Sequence, residues 1–342
     1  MIFTVFSLYC LRISLTSQYF HYVTLVTVAK PPRLKKQDVI GIVAPASAPS
    51  TCEKIDKGIR YLEKLGYRVK LGKSAKKVHG YFAGKDANRA HDLNAMFADR
   101  QVKAIFAVRG GYGTPRLLEH IDYTLVKRNP KILVGYSDLT ALQLAIFAKT
   151  RLVTFSGPML AVEMFEKFDP FTEEFLWKML TSPHPLGKVS NPDDDPLKSL
   201  STPSKKSRVV GRLLGGNLSM IISIMGTRFE PNFTSHILFF EEVGEEPYRL
   251  DRMLTHLKLA GIFRKVKAII IGALTDCVPS DKTKPSLSTD EVLQELTEDL
   301  KIPVLSHLAY GHMPRKLTMP IGLKVKVNSR LGTLEFLESA VK

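Results

Sequence analysis

Between residues 102 and 160 three apolar stretches end in turns of small residues, AVRGGYG, VGYSD and TFSGPM. The middle one shows the pattern best. Ile132 to Val134 is short and partly β-branched, like a buried strand, and after the Gly-Tyr-Ser-Asp corner Leu139, Leu142 and Ile146 follow at helical spacing. Strand-helix alternation of this kind implies a mostly parallel sheet covered on both faces. All strand carboxyl ends of such a sheet lie on one edge, and ligands bind in the crevice outside it. Arg109, Gly110, Gly111, Ser137, Asp138, Ser156 and Gly157 are therefore expected around one cleft.

The same alternation begins at Val39. DVIGIVAPAS reads as a strand, KIDKGIRYLEKLGYRV as a helix with Ile59, Leu62 and Leu65 on one side, and ANRAHDLNAMFAD as a second helix. Residues 184–208 are rich in Pro, Ser, Lys and Asp and read as an exposed linker. Beyond them come a helix after GGN, a strand HILFFEEV, a helix opening at Pro247, a strand KAIIIGAL and a capping box at Ser288 and Glu291. KLTMPIG, KVKV and GTLEFLE give a β-rich finish. The expected architecture is an α/β nucleophile domain over 31–183, with helices on both faces of its sheet, and a β-rich α+β domain over 209–342.

The 342 residues exceed the usual size of one domain, and a 44% hydrophobic content is sufficient for substantial cores. The net charge of +16 comes from lysines and arginines spread along the chain. That argues against nucleic acid as a partner and suits a substrate with several carboxylates. Cys10, Cys52 and Cys277 make no disulfide framework, which fits a reducing compartment. Apolar runs in residues 1–30 are broken by Arg12, Gln18 and His21, so the segment reads as an extension outside the fold, with an export signal as the alternative. No membrane partner is expected.

Ser137 admits two readings. Its hydroxyl can cap the following helix, or it can be a nucleophile on a tight turn near a helix N-terminus. Gly110 and Gly111 lack a Cβ, so a substrate can approach their backbone, and their N–H groups can join that of Asp138 in an oxyanion hole. Gly111 to Arg116 departs from the dinucleotide fingerprint at its third glycine; no P-loop lysine, HExxH or Cys-x-x-Cys is present, and no metal or cofactor is expected. A serine nucleophile needs a base and an orienting carboxylate. FFEEVGEEP, four acids after an apolar strand, and AYGHMPRK, with His312 in a turn, stand out as sources. His91 and His256 fall in helical patterns and read as structural. The single tryptophan, Trp177, lies in an amphipathic helical stretch and reads as packing.

RGGYGTPRLL, GYSDLTAL, FSGPM, GGNLSMI, FFEEVGEEPYRLDRML and YGHMPRKLTMPIG occur in this order over residues 31–330. The set resembles the LD-carboxypeptidases, also called muramoyltetrapeptide carboxypeptidases. The resemblance implies a serine peptidase that releases D-alanine from peptidoglycan tetrapeptides, with Ser137 as nucleophile, His312 as base and Glu241 as the orienting carboxylate. Glu242, one residue on, would face the other way on a strand and takes that role if the register is shifted by one. The resemblance further implies a cytoplasmic enzyme of cell-wall recycling, often dimeric, acting on a small peptide without a cofactor. Microcin-C self-immunity peptidases, which cleave aminoacyl-nucleotide conjugates, share the pattern and are the near alternative. A non-catalytic muropeptide-binding protein is the distant one.

Overall fold

The computed structural model describes residues 27–192, 195–200 and 207–342. The first half runs β1 (Val39–Val43), α1 (Cys52–Lys64), β2 (Arg68–Leu71), α2 (Asp86–Ala98), β3 (Val102–Ala107), a 3-10 turn Pro115–His120, α3 (Tyr123–Arg128), β4 (Ile132–Val134), α4 (Leu139–Thr150), β5 (Thr154–Ser156) and α5 (Pro170–Thr181). The second runs β6 (Gly187–Val189), β7 (Lys198–Ser199), β8 (Arg208–Asn217), α6 (Leu218–Ile224), β9 (Ile237–Val243), α7 (Pro247–Leu259), α8 (Ile262–Lys265), β10 (Ala268–Thr275), α9 (Thr289–Thr297), β11 (Val304–Ser306), β12 (Met319–Ile321), β13 (Lys324–Asn328) and β14 (Thr333–Phe336).

β1 to β5 form a parallel sheet flanked by helices, in the order β5-β4-β3-β1-β2. β1, β4 and β5 are buried along their whole length, because strands covered on both faces have no solvent side. The second sheet is mixed, β6-β14-β13-β8-β9-β10-β11-β7, with β8 to β11 parallel and its remaining pairs antiparallel. An N-terminal parallel α/β unit is thus joined to a β-rich unit with interspersed helices.

Several details depart from the sequence reading. β12 leaves the second half and pairs antiparallel with β5, completing the edge of the first sheet. Residues 184–208, expected as an exposed linker, supply β6 and β7, the two edge strands of the second sheet. The extension over 1–30 lies mostly outside the described residues, yet its last part joins the fold: Ala29 N–H donates to Arg151 O at 2.9 Å and Val153 N–H donates to Ala29 O at 2.8 Å. The segment after the glycine turn, TPRLLEHI, forms a 3-10 turn over Pro115–His120. Helix α4 is buried on nearly every side because it lies between the two units, touching α6 and β8 as well as β5. Its buried Gln143 donates from Nε2 to Gly135 O and Phe155 O, both at 2.9 Å, tying the β4 corner to β5. Among the described residues no helix is long and apolar enough to cross a membrane.

Candidate active site

Ser137 stands one residue before the N-cap of α4, at φ +62°. A non-glycine residue in the left-handed region is uncommon and costs about 1–3 kcal/mol, so the fold holds this serine against its own preference. The cap residue is Asp138, but it does not cap: its carboxylate accepts Gly113 N–H at 3.0 Å and Thr114 N–H at 2.8 Å. Burial pushes the Asp138 pKa up, against those bonds, which favour the charged form. The nucleophile corner and the glycine turn are thereby fastened together.

The glycine turn needs its glycines. A Cβ on Gly110 would stand 2.9 Å from Ser137 Cβ, and one on Gly111, at φ +107°, would stand 2.4 Å from Ser47 Oγ. Tyr112 N–H donates to Ser47 Oγ at 3.1 Å, and Asp138 engages the next two N–H groups. The N–H groups of Gly110 and Gly111 remain as this turn's donors beside the serine.

Across from this corner, the loop between β11 and β12 brings in His312. Its Nε2 is 3.2 Å from Ser137 Oγ and its Nδ1 is 2.7 Å from Glu241 Oε2. Glu241 is fully buried on β9, where Glu242 faces the opposite way. Glu242 accepts from Asn217 Nδ2 at 2.9 Å, Ser219 N–H at 2.8 Å and Ser219 Oγ at 2.7 Å, which holds the start of α6. Three residues from three distant segments thus form one chain of contacts, of the kind in which a carboxylate orients an imidazole that takes a proton from a hydroxyl.

The third corner does not line the cleft as expected. Ser156 is fully buried, its Oγ 2.7 Å from Tyr310 Oη, and Gly157 is pressed against Thr318, because β12 covers this end of β5. His91 and His256 are exposed on α2 and α7. Trp177 is a packing residue: it stacks on Tyr67 at 5.2 Å and donates to Tyr61 Oη at 2.8 Å.

Sequence reasoning missed a buried polar group beside His312. Lys316 Nζ lies 2.7 Å from Glu163 Oε1 and 3.1 Å from Tyr136 Oη, and the Tyr136 ring is centred 5.0 Å from that of His312. Burial, with the Glu163 charge next, drives the Tyr136 pKa far up, so the phenol stays protonated and donates to Glu163. Also missed was a group of rings beside the glycine turn: Tyr81, Phe82 and Tyr112, with Tyr81 and Tyr112 exposed and 6.0 Å apart. A cavity of about 1320 Å³ lies between β10 and α9; Met313 and Arg315 reach it, but Ser137, Glu241 and His312 do not line it.

Residues 40–157 match the model of the LD-carboxypeptidase N-terminal domain, and residues 210–327 match that of the LD-carboxypeptidase C-terminal domain. This chain belongs to the LD-carboxypeptidase family. A probable murein peptide carboxypeptidase of Bacillus subtilis (strain 168) is 39% identical over 312 residues, covering 88% of this chain and 92% of that protein. In structure, the microcin C7 self-immunity protein MccF in complex with glutamyl sulfamoyl guanosine superposes with a TM-score of 0.80 at 28% identity, covering 92% of this chain and 99% of that one. The muramoyltetrapeptide carboxypeptidase from Oxalobacter formigenes gives 0.74 at 31% identity, covering 87% and 97%.

These likenesses correct the expected partner. MccF has been solved with glutamyl sulfamoyl guanosine, with aspartyl sulfamoyl adenosine and, as a variant, with adenosine monophosphate. Excluding nucleic-acid chemistry because the basic residues are scattered does not hold for this family. Scattered charge speaks against a long phosphate backbone and says nothing of a single nucleoside held in a cleft. As a member of the LD-carboxypeptidase family, the chain is a serine-type hydrolase acting on small peptide or aminoacyl-nucleotide substrates.

Proposed function

We propose that Ser137 attacks the carbonyl of an aminoacyl or short-peptide substrate, with His312 as general base and Glu241 as the carboxylate that orients it. The observation that carries this reading is the contact chain from Ser137 Oγ through the His312 ring to Glu241, at 3.2 Å and 2.7 Å. His312 Nε2 takes the hydroxyl proton as Oγ bonds to the carbonyl carbon. The N–H groups of Asp138 and of Gly110 or Gly111 receive the oxyanion. The tetrahedral intermediate collapses, the leaving group departs with the proton from His312, and water, deprotonated by the same ring, hydrolyses the acyl-serine. Glu241 holds Nδ1–H toward itself, leaving Nε2 free to accept.

Two substrates suit this chemistry. An aminoacyl-nucleotide conjugate is supported by the structural likeness to MccF and by the exposed rings of Tyr81, next to Phe82, and Tyr112, between Gly111 and Gly113 of the glycine turn. Base stacking on such rings contributes about 1–3 kcal/mol. A tetrapeptide ending in D-alanine is supported by the 39% identity to the Bacillus relative and by the cationic surface. Mass spectrometry of purified protein with tetrapeptide, pentapeptide and an aminoacyl adenylate separates them. Serine hydrolysis predicts turnover of at least one, abolished in Ser137→Ala; equal turnover in a folded Ser137→Ala protein would sink the mechanism. A tenfold preference, about 1.4 kcal/mol in transition-state terms, assigns the branch.

A further inference from the structure

Whichever substrate is cleaved, the departing group is an anion. In a peptide ending in D-alanine the carboxylate is one carbon from the leaving nitrogen, and in an aminoacyl nucleotide the phosphoryl group is bonded to the leaving atom itself. A cation beside the oxyanion turn would hold that charge more strongly than neutral N–H donors alone. Residues 109–116 and 312–316 carry four candidates. Three are engaged: Arg116 pairs with Asp86 at 2.7 Å, Lys316 with Glu163 at 2.7 Å, and Arg315 lies 3.7 Å from Asp169.

Arg109 is different. Among the described residues no carboxylate lies within 4.0 Å of its guanidinium, and the contact it makes is a long one, Nη1 to Ala48 O at 3.4 Å. The side chain is half-buried between the turn after β3 and the turn after β1. A partly desolvated guanidinium without a counter-charge is costly, while its fork of five donors fits carboxylate or phosphoryl oxygens two at a time. Its backbone adjoins Gly110, where a Cβ would stand 2.9 Å from Ser137 Cβ and 3.1 Å from Ser137 Oγ.

We propose that Arg109 is the receptor for the anionic part of the leaving group, a carboxylate or a phosphoryl-type group directly beside the scissile bond. This rests on Ser137 being the attacking residue. It assigns Arg109 a recognition role separate from the backbone donors, which meet the carbonyl oxygen.

The test is calorimetric binding to Ser137→Ala protein, which keeps substrates intact. The ligands are a tetrapeptide and its C-terminal carboxamide, and glutamyl sulfamoyl adenosine and a neutral analogue with an amide link in place of the sulfamate. The anionic member of one pair should bind at least tenfold tighter than its neutral partner. Adding Arg109→Gln should remove that preference, weakening the anion tenfold or more and leaving the neutral ligand within twofold, while Arg109→Lys retains part of it. The responding pair identifies the anion as carboxylate or phosphoryl-type. Equal loss for both members, no loss for either, or no binding of either anion overturns the receptor. Should Arg109→Gln fail to fold, the Arg109→Lys protein decides by the same ratio. Arg109-dependent binding with no hydrolysis by the Ser137 protein overturns the hydrolase reading alone. Hydrolysis with an acid preference unchanged in Arg109→Gln overturns the receptor alone.

Discussion

Lys316 Nζ lies 2.7 Å from Glu163 Oε1, a buried ion pair that ties the loop bearing His312 to the segment following β5. Their side chains are 4% and 11% exposed. The pair spans 153 residues of sequence, and Tyr136, next to Ser137, donates to the same Glu163 oxygen at 2.8 Å, so the corner carrying the serine is tied to the loop carrying its base. Breaking one partner of such a pair costs about 3–5 kcal/mol, whereas replacing both by apolar residues is often neutral. Lys316→Met should therefore lower both stability and kcat. The double variant Lys316→Met with Glu163→Met should recover most of the stability, read by denaturant unfolding, without recovering kcat. Recovery of both would make the pair purely structural.

The backbone of Ser137 predicts a trade between stability and activity. Ser137→Gly relieves the positive φ of +62° and should raise the unfolding free energy by about 1 kcal/mol or less, after glycine's greater chain entropy is counted. Activity should fall by several orders of magnitude in the same protein, because members of such a triad act as a unit. A thermal melt and a turnover assay on one preparation check both.

Adjacent glutamates should fail in different ways. Glu241→Gln keeps the shape but loses the charge that favours the His312 imidazolium, so kcat should drop by about 10³–10⁴ with little loss of fold. Glu242→Gln leaves the donors of Asn217 and Ser219 with a weaker acceptor and should cost about 1–3 kcal/mol of stability. Its folded fraction should turn over substrate near the parental rate. Reversed phenotypes would exchange the two roles.

Gly110→Ala inserts a methyl group 2.9 Å from Ser137 Cβ. Since a displacement of about 1 Å at reacting atoms can cost about 10² in rate, kcat should fall by that order. A stability change beyond about 2 kcal/mol would point instead to collapse of the turn.

The local sequence was sufficient for whatever is settled within a few residues. The strand, corner and helix around Ser137 follow from β-branching, a change of period and small turn residues. The capping box at Ser288 and Glu291 forms as its spacing requires, with Ser288 N–H donating to Glu291 Oε2 at 2.7 Å. Strand parity alone put Glu241 and Glu242 on opposite faces.

Which face meets His312 was a tertiary decision, because it depends on what β8 and β10 leave open beside β9. So was the place of β12: three residues carry too little pattern to choose a sheet, and the exposed edge of β5 chose it. The spacing of Leu139, Leu142 and Ile146 marks helix α4 but not its surroundings, and two units close on it and bury it nearly all round. The partnership of Lys316 with Glu163, and the want of a carboxylate beside Arg109 among the described residues, are equally invisible in a linear chain. Periodicity and turn chemistry act over neighbouring residues, whereas a buried ion pair forms only where packing excludes water around groups that distant segments bring together.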